Sequence, residues 1–318
     1  MRNPLRIVFF GSPQFAVPPL RELLNSADFD VAAAVTQPDR PAGRGRRLRA
    51  PAVKIEAESA SVAVLQPPSI RKREFRERLR ELEADYFAVA AYGKILPPRL
   101  LAIPHLGCVN LHASLLPRYR GAAPVNWALI RGEKETGVTA MLMDEGMDTG
   151  PILLLRRVEI SESETALELA ARLSEIGAQL LARALRQYAA GEITPLPQDE
   201  NEASMAPLLK KTDGEVDWRR DAAEIANRWR GLQPWPGIYS SFRGQQIKLP
   251  QVAASTAAIP AAPPGMLVPD GERLLVSCGR ETWIELLEVQ LPGKRPIGAR
   301  DFARGYRLQP DERLGEPD

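Results

Sequence analysis

Apolar positions along the chain alternate between short continuous runs and stretches of helical period. Residues 5–10, Leu-Arg-Ile-Val-Phe-Phe, read as a buried strand that Gly11-Ser12-Pro13 breaks. A helix with Leu20, Leu23 and Leu24 on one face follows, and Val31 to Val35 form a second apolar run. Ser69 is placed to cap a helix whose Phe75, Leu79 and Leu82 recur on one side. Further strands are predicted at Tyr86–Ala91, Gly107–Leu111 and Gly137–Met143. Strands alternating with helices predict an α/β fold with a parallel, doubly wound sheet. A long helix should begin after Thr165, which forms a capping box with Glu168, carry the stripe Leu169, Leu173, Ile176 and Leu180, and stop at Gly191.

The texture then changes. Residues 194–204, TPLPQDENEAS, carry almost no apolar content and read as a linker. Beyond them, a helix near Ala222–Arg230 precedes Pro234-Trp235-Pro236-Gly237, and short β-like runs such as Leu274–Ser277 and Trp283–Val289 dominate. The Ala/Pro-rich stretch Gln251–Gly265 reads as a long loop. The expected division is a first domain over 1–193, a linker over 194–206, and a small β-barrel or sandwich over 207–318.

Composition narrows the possibilities. Forty-two Lys+Arg against 40 Asp+Glu leave 318 residues with a net charge of +2, and 44% hydrophobic content excludes global disorder. No apolar run reaches the roughly 18 residues of a membrane span, and the start of the chain does not read as a secretory signal. Cys108 and Cys278 offer no disulfide framework, so a reducing cytoplasm is expected. Only His105 and His112 are available for imidazole chemistry.

The densest polar chemistry lies at 108–121. Side chains alternate along a strand, so Asn110 and His112 should share one side, at the strand end where open α/β sheets bind ligands. An amide donor beside an imidazole suits a reaction that builds negative charge on an oxygen while a proton moves. Standing alone, Asn-x-His also reads as a histidine satisfied by backbone. The Gly-rich turn Asp144-Glu145-Gly146-Met147-Asp148-Thr149-Gly150 could bring Asp148 to the same rim to orient His112, or could be a solvated turn. A zinc grouping of His105, Cys108, His112 and Asp148 has helical spacing where a strand is expected, and no metal is anticipated. The single glycine of Gly11-Ser12-Pro13 does not make a dinucleotide fingerprint. Arg40, Arg44, Arg46, Arg47 and Arg49, interspersed with Gly and Pro, should form an exposed loop able to follow a polyphosphate backbone, or an ordinary solvated insertion.

With these residues in view, the chain resembles the methionyl-tRNA formyltransferases of bacteria and organelles. The resemblance runs through Thr36–Gly45, Asn110–Pro124, Glu135–Thr139, Met143–Gly150 and Pro234-Trp235-Pro236-Gly237, and so covers nearly the whole chain. It implies a Rossmann-like formyltransferase domain followed by an OB-like barrel. It also implies 10-formyltetrahydrofolate as formyl donor and the α-amino group of initiator methionyl-tRNA as acceptor. Carried over by position, the catalytic residues are Asn110, His112 and Asp148. The folate-contacting residues are Ser114, Leu115, Leu116, Pro117 and Asp144, together with Tyr92, Gly93, Ile95 and Leu96 of the pterin-lining segment. Arg40, Arg44, Arg46, Arg47 and Arg49 would meet the tRNA. Ala113 stands where the family usually has glycine. The lack of an obvious extra apolar helix favours a monomer, and no membrane partner is expected.

A folate-dependent transferase acting on a small amine, or a formyl-folate hydrolase, would share the same three residues. The basic insertion and the appended β region argue for a large acceptor. The insertion generates a test. The KM for charged tRNA should rise steeply with salt while that for the folate changes little, because phosphate contacts release counterions. Arg44→Ala should raise the tRNA KM alone, and wild-type values for both substrates would make the insertion plain solvated surface.

Overall fold

The computed structural model describes residues 3–42, 47–257 and 259–315. The chain folds into two compact units. One comprises Met1–Pro124, Glu135–Ile160 and Glu168–Pro207, and the other Val125–Lys134, Ser161–Leu167 and Leu208–Asp318.

The first unit is built on β1 (Leu5–Gly11), β2 (Phe29–Val35), β5 (Val64–Leu65), β6 (Tyr86–Ala90), β7 (Cys108–His112), β8 (Glu135–Leu142) and β9 (Ile152–Glu159), in the order β5-β2-β1-β6-β7-β8-β9. A separate two-stranded ribbon pairs β3 (Arg40–Ala42) with β4 (Arg47–Arg49). From β5 to β7 all neighbours run parallel, as the strand–helix alternation predicts. β8 and β9 depart from the expected doubly wound pattern, since β8 pairs antiparallel to β7 and β9 antiparallel to β8. The connection 143–151 is too short for the crossover that a parallel return needs.

Alternation along β1 sends its side chains to two cores. Val8 and Phe10 join Val35, Phe87, Val89, Leu79, Leu96, Leu100 and Cys108 in one buried cluster. The helices around this sheet are α1 (Val17–Leu24), α2 (Ala52–Ser59), α3 (Arg73–Arg80) and α4 (Pro98–Leu101). α6 (Ala166–Ala189) joins them from Glu168 onward, whereas α5 (Pro124–Ile130) belongs to the second unit from Val125. On α6, Ser174 donates to the Phe15 carbonyl at 2.6 Å and the Leu185 carbonyl accepts from the Tyr86 hydroxyl at 3.3 Å. Gly177 permits the approach of Leu111, whose Cδ2 lies 2.7 Å from where a Cβ would sit. Ser69 does not cap α3; its hydroxyl accepts from Arg71 N at 3.3 Å in the preceding turn, and Lys72 is the cap residue.

In the second unit the order is β10 (Tyr239–Phe242), β11 (Gln245–Ser255), β14 (Trp283–Gln290), β13 (Arg273–Ser277), β12 (Leu267–Asp270), with β15 (Ile297–Gly298) also on β14. All pairs are antiparallel. Among the described residues no strand joins β10 to β12, but residues 312–315 lie against both edges, with Leu267 N donating to Glu312 O at 2.9 Å and Gly315 N to Ser241 O at 3.0 Å. The stretch expected as a loop from Gln251 is strand as far as Ser255, because those residues pair with β14. α7 (Ala222–Gly231) starts at Asp221, whose side chain accepts from Glu224 N at 2.8 Å, and α8 (Ala299–Gly305) brings Phe302 against Phe242 at 5.1 Å between ring centroids. No helix among the described residues is long and apolar enough to cross a membrane.

Phe87 is fully buried with its ring 5.1 Å from that of Phe10. Phe87→Ala should therefore lower the unfolding free energy by about 3–5 kcal/mol in urea titration. A loss under about 1 kcal/mol would mean that the cluster collapses around the gap.

Candidate active site

Asn110 and His112 project from one side of β7, at the C-terminal end of the parallel strands. The loop 143–151 carries Asp148 to them. Asn110 Nδ2 lies 3.4 Å from Asp148 Oδ1, and His112 Nδ1 lies 3.5 Å from Asp148 Oδ2. The same Oδ2 accepts from Gly121 N at 2.8 Å. His112 Nε2 lies 2.9 Å from the Tyr119 carbonyl oxygen. A carbonyl only accepts, so Nε2 carries a hydrogen, and Nδ1 faces a carboxylate. The ring is buried, and the Asp148 side chain is 16% exposed, so a ligand can still reach the carboxylate.

Local backbone makes this convergence possible. Asp148 and Tyr119 adopt φ of 56° and 63°, in the left-handed region. Asp144 closes the loop, its Oδ1 accepting from Gly146 N at 3.0 Å and from the Thr149 hydroxyl at 2.7 Å. Gly150 passes so close to Leu142 that a Cβ would lie 1.8 Å from the Leu142 carbonyl oxygen. Gly121, at φ 120°, lies under Ala206, whose carbonyl oxygen would be 2.7 Å from a Cβ.

The stretch 194–206 is laid along this first unit. Leu196 exchanges backbone hydrogen bonds with Ile152, both at 2.8 Å. Gln198 Nε2 donates to the Asp148 and Gly150 carbonyls at 2.9 and 2.7 Å, and Gln198 Oε1 accepts from Arg120 Nε and Nη2. Arg120 is buried and paired with Glu200 at 2.8 Å; that bond, with the nearby charges of Glu200, Asp144 and Asp148, outweighs burial and raises the guanidinium pKa. Ser204 accepts from Tyr119 N at 2.9 Å. Gln198, Arg120, Glu200, Tyr119 and Ser204 were not among the site candidates, since polar side chains that bond to backbone leave no hydrophobic period to read.

The other expected positions divide. The Ser114 hydroxyl is turned inward to the Arg118 carbonyl at 2.6 Å, Leu116 N donates to Thr139 Oγ1 at 3.2 Å, and Pro117 is buried, so this turn holds itself while Leu115 is half-buried. Tyr92 and Leu96 face the core, whereas Gly93 is exposed and Ile95 is 65% exposed. The Tyr92 hydroxyl is buried without a hydrogen-bond partner, and burial pushes its pKa up to about 12. Arg40 and Arg49 are exposed on the β3–β4 ribbon, and Arg47 Cα pairs with Ala42 in its register; Arg44 and Arg46 lie outside the described residues. Cys108 packs in the core, where burial raises its thiol to about 12, an environment that disfavours a metal-binding thiolate.

Residues 5–185 match the formyl transferase family and residues 208–307 its C-terminal domain. A methionyl-tRNA formyltransferase of Citrifermentans bemidjiense is 48% identical over 314 residues, 99% of this chain and 98% of that one. The chain belongs to the methionyl-tRNA formyltransferase family. At the level of fold, this family member is similar to an N-formyltransferase from Helicobacter canadensis in complex with folinic acid and dTDP-3-aminofucose, with a TM-score of 0.68, 17% identity, and coverage of 89% of this chain and 98% of that one. It is also similar to glycinamide ribonucleotide transformylase 1 of Symbiobacterium toebii, with a TM-score of 0.52, 22% identity, and coverage of 62% and 96%.

The space at Gly150 is a test of this formyltransferase site. Gly150→Ala should displace the Asp148 turn and lower kcat by on the order of 10²-fold, as misplacement by about 1 Å does. Unchanged steady-state kinetics would show that the turn can move without consequence.

Proposed function

We propose that the chain transfers the formyl group of 10-formyltetrahydrofolate to the α-amino group of methionyl-tRNA, supplying formylmethionyl initiator tRNA for translation in the cytoplasm. Full-length identity to enzymes of that name supports the acceptor. The convergence of Asn110, His112 and Asp148 at one strand end carries the chemistry. In this reading residues 1–193 hold the catalytic site, 194–206 join it to the rest, and 207–318, an OB-like unit, share tRNA binding with Arg40, Arg44, Arg46, Arg47 and Arg49. The active species is a monomer. Ile95, Gly93, Leu115 and Asp144 line the folate side, with the buried Tyr92, Leu96, Ser114, Leu116 and Pro117 holding their turns from beneath.

The folate supplies a formyl carbon on a nitrogen that leaves readily once protonated. Asn110 has a second amide hydrogen beyond the one turned to Asp148, and aims it at the formyl oxygen as negative charge builds there. Of the two contacts on the His112 ring, the one to Asp148 is longer, 3.5 against 2.9 Å, so the Nδ1 side opens to the reacting groups. His112 places its proton on the departing nitrogen and recovers one from the attacking amine. One C–N bond forms, one breaks, and the ring is returned to its starting state. Asp148 balances the imidazolium throughout.

Incubation with labelled formyl-folate and charged initiator tRNA should label the aminoacyl group; no transfer by the wild type would reject this function. Asn110→Ala should lose roughly 10²–10³-fold in kcat and His112→Ala roughly 10²–10⁴-fold, both with wild-type melting temperatures. Full activity in either rejects the role assigned to it.

A further inference from the structure

We infer that the 198–206 segment is part of the catalytic apparatus, with Gln198 a positioning residue that holds Asp148 against His112. The inference rests on the proposed roles of those two side chains. A guanidinium only donates, so Arg120, reaching Gln198 Oε1 through Nε at 3.1 Å and Nη2 at 2.8 Å, fixes which end of the amide is oxygen. Both hydrogens of Nε2 are thereby aimed at the Asp148 and Gly150 carbonyls, 2.9 and 2.7 Å away. Glu200 holds Arg120 in turn, taking Nη1 and Nη2 at 2.8 Å each. Asp148 has the left-handed φ of 56° that a non-glycine residue keeps only when its surroundings enforce it.

The same segment also holds the ring's other partner. Ser204 Oγ accepts from Tyr119 N at 2.9 Å and Ser204 O from Arg120 N at 2.8 Å, while Ala206 N donates to Arg120 O at 2.7 Å. The Tyr119 carbonyl that receives His112 Nε2 is fixed by these bonds. One short stretch of chain therefore positions both oxygens between which the imidazole is held.

Gln198→Glu tests this with shape preserved. The Arg120 contact persists as an ion pair, but two donors become lone pairs facing two carbonyls. The kcat should fall at least about tenfold, toward the ~10² that a 1 Å misplacement costs, with both KM values within about twofold of wild type. Tetrahydrofolate should still bind with wild-type affinity and stoichiometry, which separates misplacement from partial unfolding. With only two histidines in the chain, nitrogen-15 histidine spectra give a second readout: the His112 signals should move and those of His105 stay. Gln198→Ala, which removes the donors without adding charge, should behave alike. A kcat loss smaller than about tenfold per tetrahydrofolate-binding molecule in both variants, or an unmoved His112 signal, overturns the inference. Asp148→Asn separates the levels: if it is fully active the site assignment fails, whereas if it is inactive while Gln198→Glu is active only the positioning role fails.

Discussion

His112 lies between two oxygens, one of a carboxylate and one of a backbone carbonyl. The rest of the first unit follows from satisfying both. A buried imidazole needs a partner for each ring nitrogen, since an unpaired polar group away from water costs about 1–3 kcal/mol. Asp148 and the Tyr119 carbonyl provide these at 3.5 and 2.9 Å. The carboxylate itself needs donors, which it finds in Gly121 N and Asn110.

Bringing a carboxylate from β8's far end onto β7 costs backbone freedom. The left-handed Asp148 stores on the order of 1–3 kcal/mol. Neighbours offset this with the Asp144 turn, the Leu142 N bond to Pro151 O at 2.9 Å, and the Gln198 amide. Glycine at 121 and 150 is required because backbone from another segment lies where a side chain would begin. The antiparallel return of β9 belongs to the same economy of length: a short loop keeps Asp148 near its anchor, where a crossover would carry it away.

The parts of this arrangement that were legible in the sequence are those with a period. Alternation in β7 places Asn110 and His112 together, and the continuous runs at Leu5–Phe10 and Tyr86–Ala91 announce parallel strands buried on both faces. β9 escaped because Arg156 and Arg157 interrupt its apolar run, as charges do on an edge strand. The β3–β4 ribbon escaped because proline and arginine hide a three-residue pairing. Residues 194–204 read as a linker for a deeper reason. Their hold on the fold is made of amide, carboxylate, hydroxyl and backbone hydrogen bonds, and composition reports burial of carbon, not the satisfaction of polar groups.

Acceptor choice and chemistry are separable in this architecture. The same fold recurs at 22% and 17% identity over 62% and 89% of the chain. The three catalytic candidates lie wholly within the first unit. Discrimination among amines must then come from groups that touch the acceptor away from the formyl carbon. Binding energy gained there raises the rate only if it is expressed as correct placement of the nitrogen against Asn110 and His112. A rigidly held imidazole suits that division of labour, since placement has meaning only against a target that does not move.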